Sequence, residues 1–248
     1  MRTALGLTLF ILALCTGGQA LASPFYAPPP PDEDADTFSG ETELGYTRLA
    51  GNTDSRTLIA KGRLAWLNGD WTHTLRGKVR NAARDGETSA EQYLLSGRER
   101  YSLEGPHYLF GFARWEKDRF SGYDWQATTI GGYGRDLLEG KHQRLSVEAG
   151  PGYRHDRLGR EEDSRLGVGY AALDWELEAT ETTTLGQELS VEATDDNTTS
   201  RSHSSLTAKL NSRLSLRLSH EMRHNSRPPE DAEARTDHTS SAALLYDW

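Results

Sequence analysis

From Phe38 to Trp248 the chain alternates apolar and polar residues with a period of two. Leu58, Ala60, Gly62, Leu64 and Trp66 share one parity, as do Leu75, Gly77 and Val79, then Leu145, Val147, Ala149, Pro151 and Tyr153. Leu206, Ala208 and Leu210 repeat the pattern, and Leu214, Leu216 and Leu218 follow it. The opposite parity carries Lys61, Arg63, Arg76, Lys78, Arg144, Glu148, Lys209 and Arg217. Successive side chains of a strand point to opposite faces, so this spacing predicts strands with one apolar and one polar face.

Turn residues divide the region into about twelve strands, near 39–50, 54–67, 71–82, 90–103, 107–117, 125–138, 142–156, 164–178, 183–194, 201–210, 213–225 and 237–248. Connections after even strands read as tight: "NGD", "EGP", "EGK", "ATET" and "NSR". Those after odd strands read as longer, such as "RDGETS", "DRFSGYD" and "NSRPPEDAEART", with "GNTD" the short exception. Short turns on one rim, long loops on the other and an even strand count predict an antiparallel transmembrane up-and-down β-barrel of about twelve strands over 38–248. Strands of this length cover the roughly 9 to 11 residues that a tilted strand needs to cross a bilayer. All six tryptophans, Trp66, Trp71, Trp115, Trp125, Trp175 and Trp248, fall near predicted strand ends, where an interfacial aromatic belt belongs.

Alternation does not say which face is inside. A soluble periplasmic ligand-binding barrel, the competing reading, turns the apolar parity inward. Mean hydropathy is −0.70, which reads as soluble, yet a membrane barrel shows lipid only alternate residues and so also scores low. The loop asymmetry, strand lengths and terminal aromatic favour lipid outside.

At the start, Met1-Arg2, an apolar run from Leu5 to Leu14 and Ala20-Leu21-Ala22 before Ser23 read as a cleaved secretory signal peptide over 1–22. Residues 23–37, "SPFYAPPPPDEDADT", read as a proline-rich acidic periplasmic linker. Cys15 is the only cysteine, so the exported chain has neither a disulfide nor a thiolate metal site. A net charge of −9 argues against a nucleic-acid partner. The destination expected is the outer membrane, with its lipid as a partner.

"HEMRH", His220 to His224, matches the H-E-x-x-H zinc-protease pattern, which needs a helix. The alternation of Leu214, Leu216 and Leu218 makes it a strand, so the two histidines stand roughly 13 Å apart and cannot share an ion. His142 and Ser146 are four strand positions apart, and neighbours His155 and Asp156 point to opposite faces. No catalytic residue, metal or cofactor is expected; an outer-membrane hydrolase is the alternative that these residues leave open.

If the polar parity faces inward, Lys61, Arg63, Arg76, Lys78, Arg80, Arg98 and Arg100 on strands two to four form a basic wall. Glu148, Glu188 and Glu192 on strands seven to nine form an acidic one. In a twelve-stranded ring the third and ninth strands face each other. Two outcomes follow: a transverse field across a narrow charge-selective pore, or long side chains that pair across the lumen and plug it.

Four segments in order, "AGNTDS" (50–55), "DRFSGYDWQATTIGGYGRDLL" (118–138), "EAGPGYRHD" (148–156) and "RPPEDAEARTDHTSSAALLYDW" (227–248), resemble the family of YdiY-like, salt-induced outer-membrane proteins, whose function is unknown. The resemblance implies an outer-membrane barrel linked to salt or osmotic stress and carries over no catalytic residue. Its recognisable positions are Gly51, Asn52, Thr53, Arg119, Phe120, Gly122, Tyr123, Gly152, Tyr153 and Arg154. They read as turns and belt, or as an outer-rim site built from Arg119, Tyr123, Asp124 and Arg154. The sequence departs from the family at Trp125-Gln126, where an aromatic-Arg pair is usual, and at Trp248, where Phe is usual. "SSAALLYDW" places Tyr246 and Trp248 on the apolar parity at the last residues, which resembles the C-terminal signal read by the barrel assembly machinery, the protein partner expected first.

Overall fold

The computed structural model describes residues 38–49, 55–85, 87–119, 121–158, 162–229, 232 and 234–248. The expected signal peptide and linker, and Gly51, Asn52, Thr53 and Phe120, lie outside the described residues.

Twelve strands form in chain order: β1 (Phe38–Leu49), β2 (Ser55–Asn68), β3 (Trp71–Arg84), β4 (Glu87–Ser102), β5 (His107–Asp118) and β6 (Tyr123–Glu139) make one half. β7 (Gln143–Leu158), β8 (Glu162–Thr180), β9 (Thr183–Ala193), β10 (Thr198–Lys209), β11 (Leu214–Asn225) and β12 (Thr236–Asp247) make the other. Each pairs antiparallel with its chain neighbours, and β12 returns to β1, so the sheet is a closed barrel. Closure satisfies every strand edge, which a sheet standing in hydrocarbon requires.

Burial answers the question that alternation left open. Lys61, Arg63, Arg76, Lys78, Arg98, Arg100 and Arg217 are buried inside the ring, along with Glu41, Glu43, Glu188 and Glu192. Leu44, Leu58, Leu75, Val79, Leu95, Leu109, Leu189, Val191, Leu216, Leu218 and Leu244 stand exposed outside. The polar parity therefore faces the lumen and the apolar parity faces out, the reverse of a soluble barrel. Aromatic rings crowd both ends of this outward apolar band. At the rim holding Phe38 and Trp248, here the terminal rim, Phe38 lies 5.8 Å from Trp248 and Trp71 lies 4.9 Å from Tyr101. Tyr46, Tyr93, Trp115 and Tyr153 are exposed toward the other end, the loop rim.

The loops correct one expectation. β3 runs to Arg84 and β4 resumes at Glu87, so most of "RDGETS" belongs to strands rather than to a long loop. Asp85 takes a positive φ of 50° there, a conformation that short Asx side chains tolerate. The strands absorb the residues assigned to the loop, with a bulge between Ala82 and Ala83. Most of the rim asymmetry comes instead from one connection, 226–235 between β11 and β12.

Inside the wall of β5 to β8 lies a small apolar core of Tyr108, Phe110, Ile130 and Val168, with Phe112 and Tyr170 against it. Tyr108 pairs with Gly134 across the β5–β6 ladder, and its ring occupies the space a Cβ at 134 would need. Glycine there lets a large aromatic lie flat on the inner wall instead of filling the lumen.

Candidate functional site

The lumen is lined by charge of two kinds on two sides. All seven cations expected on β2 to β4 turn inward: Lys61, Arg63, Arg76, Lys78, Arg98 and Arg100 are buried, and Arg80 reaches Gln92 at 3.4 Å. Glu148, Glu188 and Glu192 also line the interior, and Asp156, Asp174 and Glu176 join them on the β7–β8 wall. Alternation carried this signal too, since Asp174 and Glu176 share a parity in "LDWELE".

The walls are bridged. Near the terminal rim Arg217 donates to Glu41 at 2.9 Å, to Glu43 at 3.2 Å and to Thr207 Oγ1 at 3.0 Å. Lys61 sits 3.1 Å from Glu43 and 2.9 Å from Glu221, which also holds Lys78. Arg98 pairs with Glu148, which accepts from Tyr170 Oη at 2.9 Å. Arg100 pairs with Asp136 at 2.6 Å and lies 3.7 Å above the Tyr108 ring. Toward the loop rim the links become chords: Arg201 on β10 donates two bonds, 3.0 and 2.8 Å, to Glu116 on β5. Arg114 on β5 reaches Glu192 on β9 at 2.7 Å, and Arg223 on β11 reaches Gln126 on β6 at 2.9 Å. β6 and β11 stand five strands apart in a ring of twelve, so this last bond nearly spans the barrel. Glu41, Glu43, Arg114, Glu116, Arg201, Glu221 and Arg223 are lumen residues that sequence reasoning missed; shared parity was the available signal.

Between these layers a cavity of about 160 Å³ remains. Arg76, Lys78 and Arg98 line it on one side and Glu148, Asp174 and Glu188 on the other. His203 contacts Glu188 at 3.0 Å. Asp174 lies directly across the β8–β9 ladder from Glu188, and its Oδ2 is buried with no hydrogen bond.

The outer-rim residues do not converge. Arg119 is exposed and pairs with Glu91 at 3.3 Å, while Asp124 is exposed. Tyr123 is buried, and Arg154 is buried inside with Asp156 at 3.1 Å. Two members are exposed and two are buried, which corrects a single surface site. "HEMRH" lies within β11: His220 stacks on His238 with centroids 5.5 Å apart, and His224 bonds Thr236 Oγ1 at 2.8 Å. His142 stands in the turn between β6 and β7, 3.7 Å from Glu178, while Ser146 lines the cavity. His155 faces Trp125 outside, and Asp156 is buried. Among the described residues no three His, Cys, Asp or Glu side chains converge as a metal site. Tyr246 and Trp248 both face outward at the terminal rim. Trp248 exchanges backbone bonds with Gly40, and its indole covers Gly40 so closely that a Cβ there would overlap it.

A closed ring of twelve antiparallel strands, apolar outside and ion-paired inside, is the architecture of outer-membrane barrels. The chain belongs to the family described as "Protein of unknown function, DUF481", whose model matches residues 42–248. It is 32% identical over 209 residues to the uncharacterized protein YdiY of Escherichia coli K12, covering 84% of this chain and 82% of that protein. Among solved structures it is similar to an outer membrane channel from Pseudomonas putida F1, with a TM-score of 0.55 and 10% identity over 92% of this chain and 100% of that one. The translocator domain of the autotransporter NalP from Neisseria meningitidis gives a TM-score of 0.52 and 11% identity over 87% and 90% of the two chains. At such identities the likeness is one of fold alone.

Proposed function

We propose that this chain is exported through a cleaved signal peptide and assembled in the bacterial outer membrane, where it acts without catalysis as a narrow, charge-selective passage for small solutes. The observation that carries this is the facing of Arg76 and Lys78 against Asp174 and Glu188 across an open cavity. A transverse field of that kind orders and selects charged solutes. Side-chain bridges cross the lumen on the loop-rim side, and side chains can part. The bridge of Arg201 to Glu116 acts as a latch: where water reaches it, added salt screens it, since the Debye length falls from about 8 Å at physiological ionic strength to about 3 Å at 1 M. That sensitivity favours a role in salt or osmotic stress. Recording from purified protein in a planar bilayer tests the passage: discrete conductance steps that become more frequent as salt rises are expected.

A second reading, a sealed envelope component, draws on the same chords between β5 and β9, β10 and β11. Silence of the wild type at every voltage and salt concentration favours it.

A further inference from the structure

The cavity is bipolar, and two of its carboxylates, Asp174 and Glu188, each hold a buried oxygen without a hydrogen bond. Five of the cations that line it answer to carboxylates: Lys78 to Glu221, Arg98 to Glu148, Arg114 and Arg201 to Glu116, and Arg223 to Asp118. Asp174 has no ion pair among the described residues, and its Oδ2 carries no hydrogen bond although it is buried. It faces Glu188, whose Oε2 is likewise buried without a hydrogen bond. Residues directly opposite in a ladder have their Cβ atoms about 5 Å apart, and like charges there repel. Glu188 has His203 on one oxygen, whereas Asp174 has the attraction of Arg76 but no hydrogen bond on its Oδ2. A positive group placed between the two carboxylates removes the repulsion and satisfies both orphan oxygens.

The far wall supplies the complement. Arg76, on β3, stands five strands from β8 around the ring, and it lines the same cavity with Lys78. A ligand with a cationic head on Asp174 and Glu188 therefore turns its other end toward guanidinium and ammonium groups. At one probe sphere of about 10 to 15 Å³ per water, 160 Å³ holds on the order of ten waters, or a solute of about ten non-hydrogen atoms. We propose that the cavity is a binding site for a small zwitterion, with its ammonium held by Asp174 and Glu188 and its carboxylate directed at Arg76 and Lys78. This rests on the passage reading for its biological sense but not for its measurement, because binding needs no transport.

The test uses a matched set of six-carbon probes on the full barrel refolded in detergent: 6-aminohexanoate as zwitterion, hexylammonium as cation, hexanoate as anion and 1,6-hexanediol as neutral. By titration calorimetry 6-aminohexanoate is expected to bind at least about tenfold more tightly than the other three. Asp174→Asn should weaken it by about tenfold or more, and Asp174→Glu should restore part of the loss. The heat-dependent mobility shift of folded barrels in gels confirms that each variant is closed. Absence of 6-aminohexanoate binding overturns the proposal, as does equal binding of hexylammonium, which marks a plain cation site, or undiminished binding by a folded Asp174→Asn barrel. Binding by a barrel that conducts no ions upholds the site and removes the passage. Conductance without binding upholds the passage and removes the site.

Discussion

The chord from Arg201 to Glu116 can be weighed by a double-mutant cycle. Its two bonds, 3.0 and 2.8 Å, link β10 to β5 across the lumen rather than along a ladder. A hydrogen bond to a charged group contributes about 1.5–3 kcal/mol net, but the second bond of a fork adds less than the first. Arg201→Ala leaves Glu116 with Arg114 Nε at 2.8 Å, so no uncompensated charge is created and a loss of about 2–3 kcal/mol is expected. Glu116→Ala leaves two guanidiniums, of which Arg114 keeps Glu192 at 2.7 Å and Arg201 approaches the same carboxylate only at 3.8 Å. Removing one partner of a buried pair costs about 3–5 kcal/mol, and this variant should fall at the lower end. The double variant should recover part of both losses, leaving a coupling of about 2 kcal/mol. Urea unfolding of the barrel in phospholipid vesicles, followed by intrinsic tryptophan fluorescence, gives the four stabilities. A coupling below about 0.5 kcal/mol means the two walls are not joined there and removes the latch.

Other predictions follow from other parts of the wall. Leu95→Arg places a cation on the exposed outer face and should cost about 2–4 kcal/mol in vesicles if that face meets mid-bilayer lipid; a change under 0.5 kcal/mol in the same unfolding assay would falsify the outward apolar band as a membrane surface. Gly40→Val drives a side chain into the Trp248 indole at the β1–β12 seam, and the fraction of heat-modifiable barrel on gels should fall by more than half. Deleting Trp248 should lower outer-membrane assembly in cells far more than synthesis; equal levels in isolated membranes would deny it a signalling part. Arg217→Ala removes the bonds to Glu41 and Glu43 but leaves Glu41 with Arg63 at 3.4 Å and Glu43 with Lys61 at 3.1 Å, so a loss of about 1.5–3 kcal/mol is expected, read as a shift of the urea midpoint.

Much of this molecule was legible because a strand's period of two converts directly into faces. The seven cations on β2 to β4 and the three glutamates on β7 to β9 share the polar parity, and one parity is one wall. What alternation lacks is a sign: the same pattern suits a barrel full of leucine or one full of arginine, and only closure and burial decide. Partnerships were illegible for a related reason. Arg201 and Glu116 are 85 positions apart, and their meeting depends on the stagger of twelve strands around a ring, which no local spacing encodes. Glu41 and Glu43 could have been read from "ETEL", where both share a parity opposite to Leu44. The outer-rim set failed because Arg119 and Asp124 flank a loop and bulge where face assignment is lost, while Arg154 lies within a regular strand and follows its parity inward. "RDGETS" was misread because turn-forming residues mark where a chain reverses without fixing how far strands run into the reversal.

The central claim is that the polar parity encloses a passage whose opening is governed by bridging ion pairs. Single-barrel recording in a planar bilayer, wild type beside Arg201→Ala, addresses it most directly. The account predicts small conductance steps for the wild type and longer or larger openings for the variant, with the gap narrowing as salt rises. A folded wild type and a folded variant that are both silent at every voltage would contradict it.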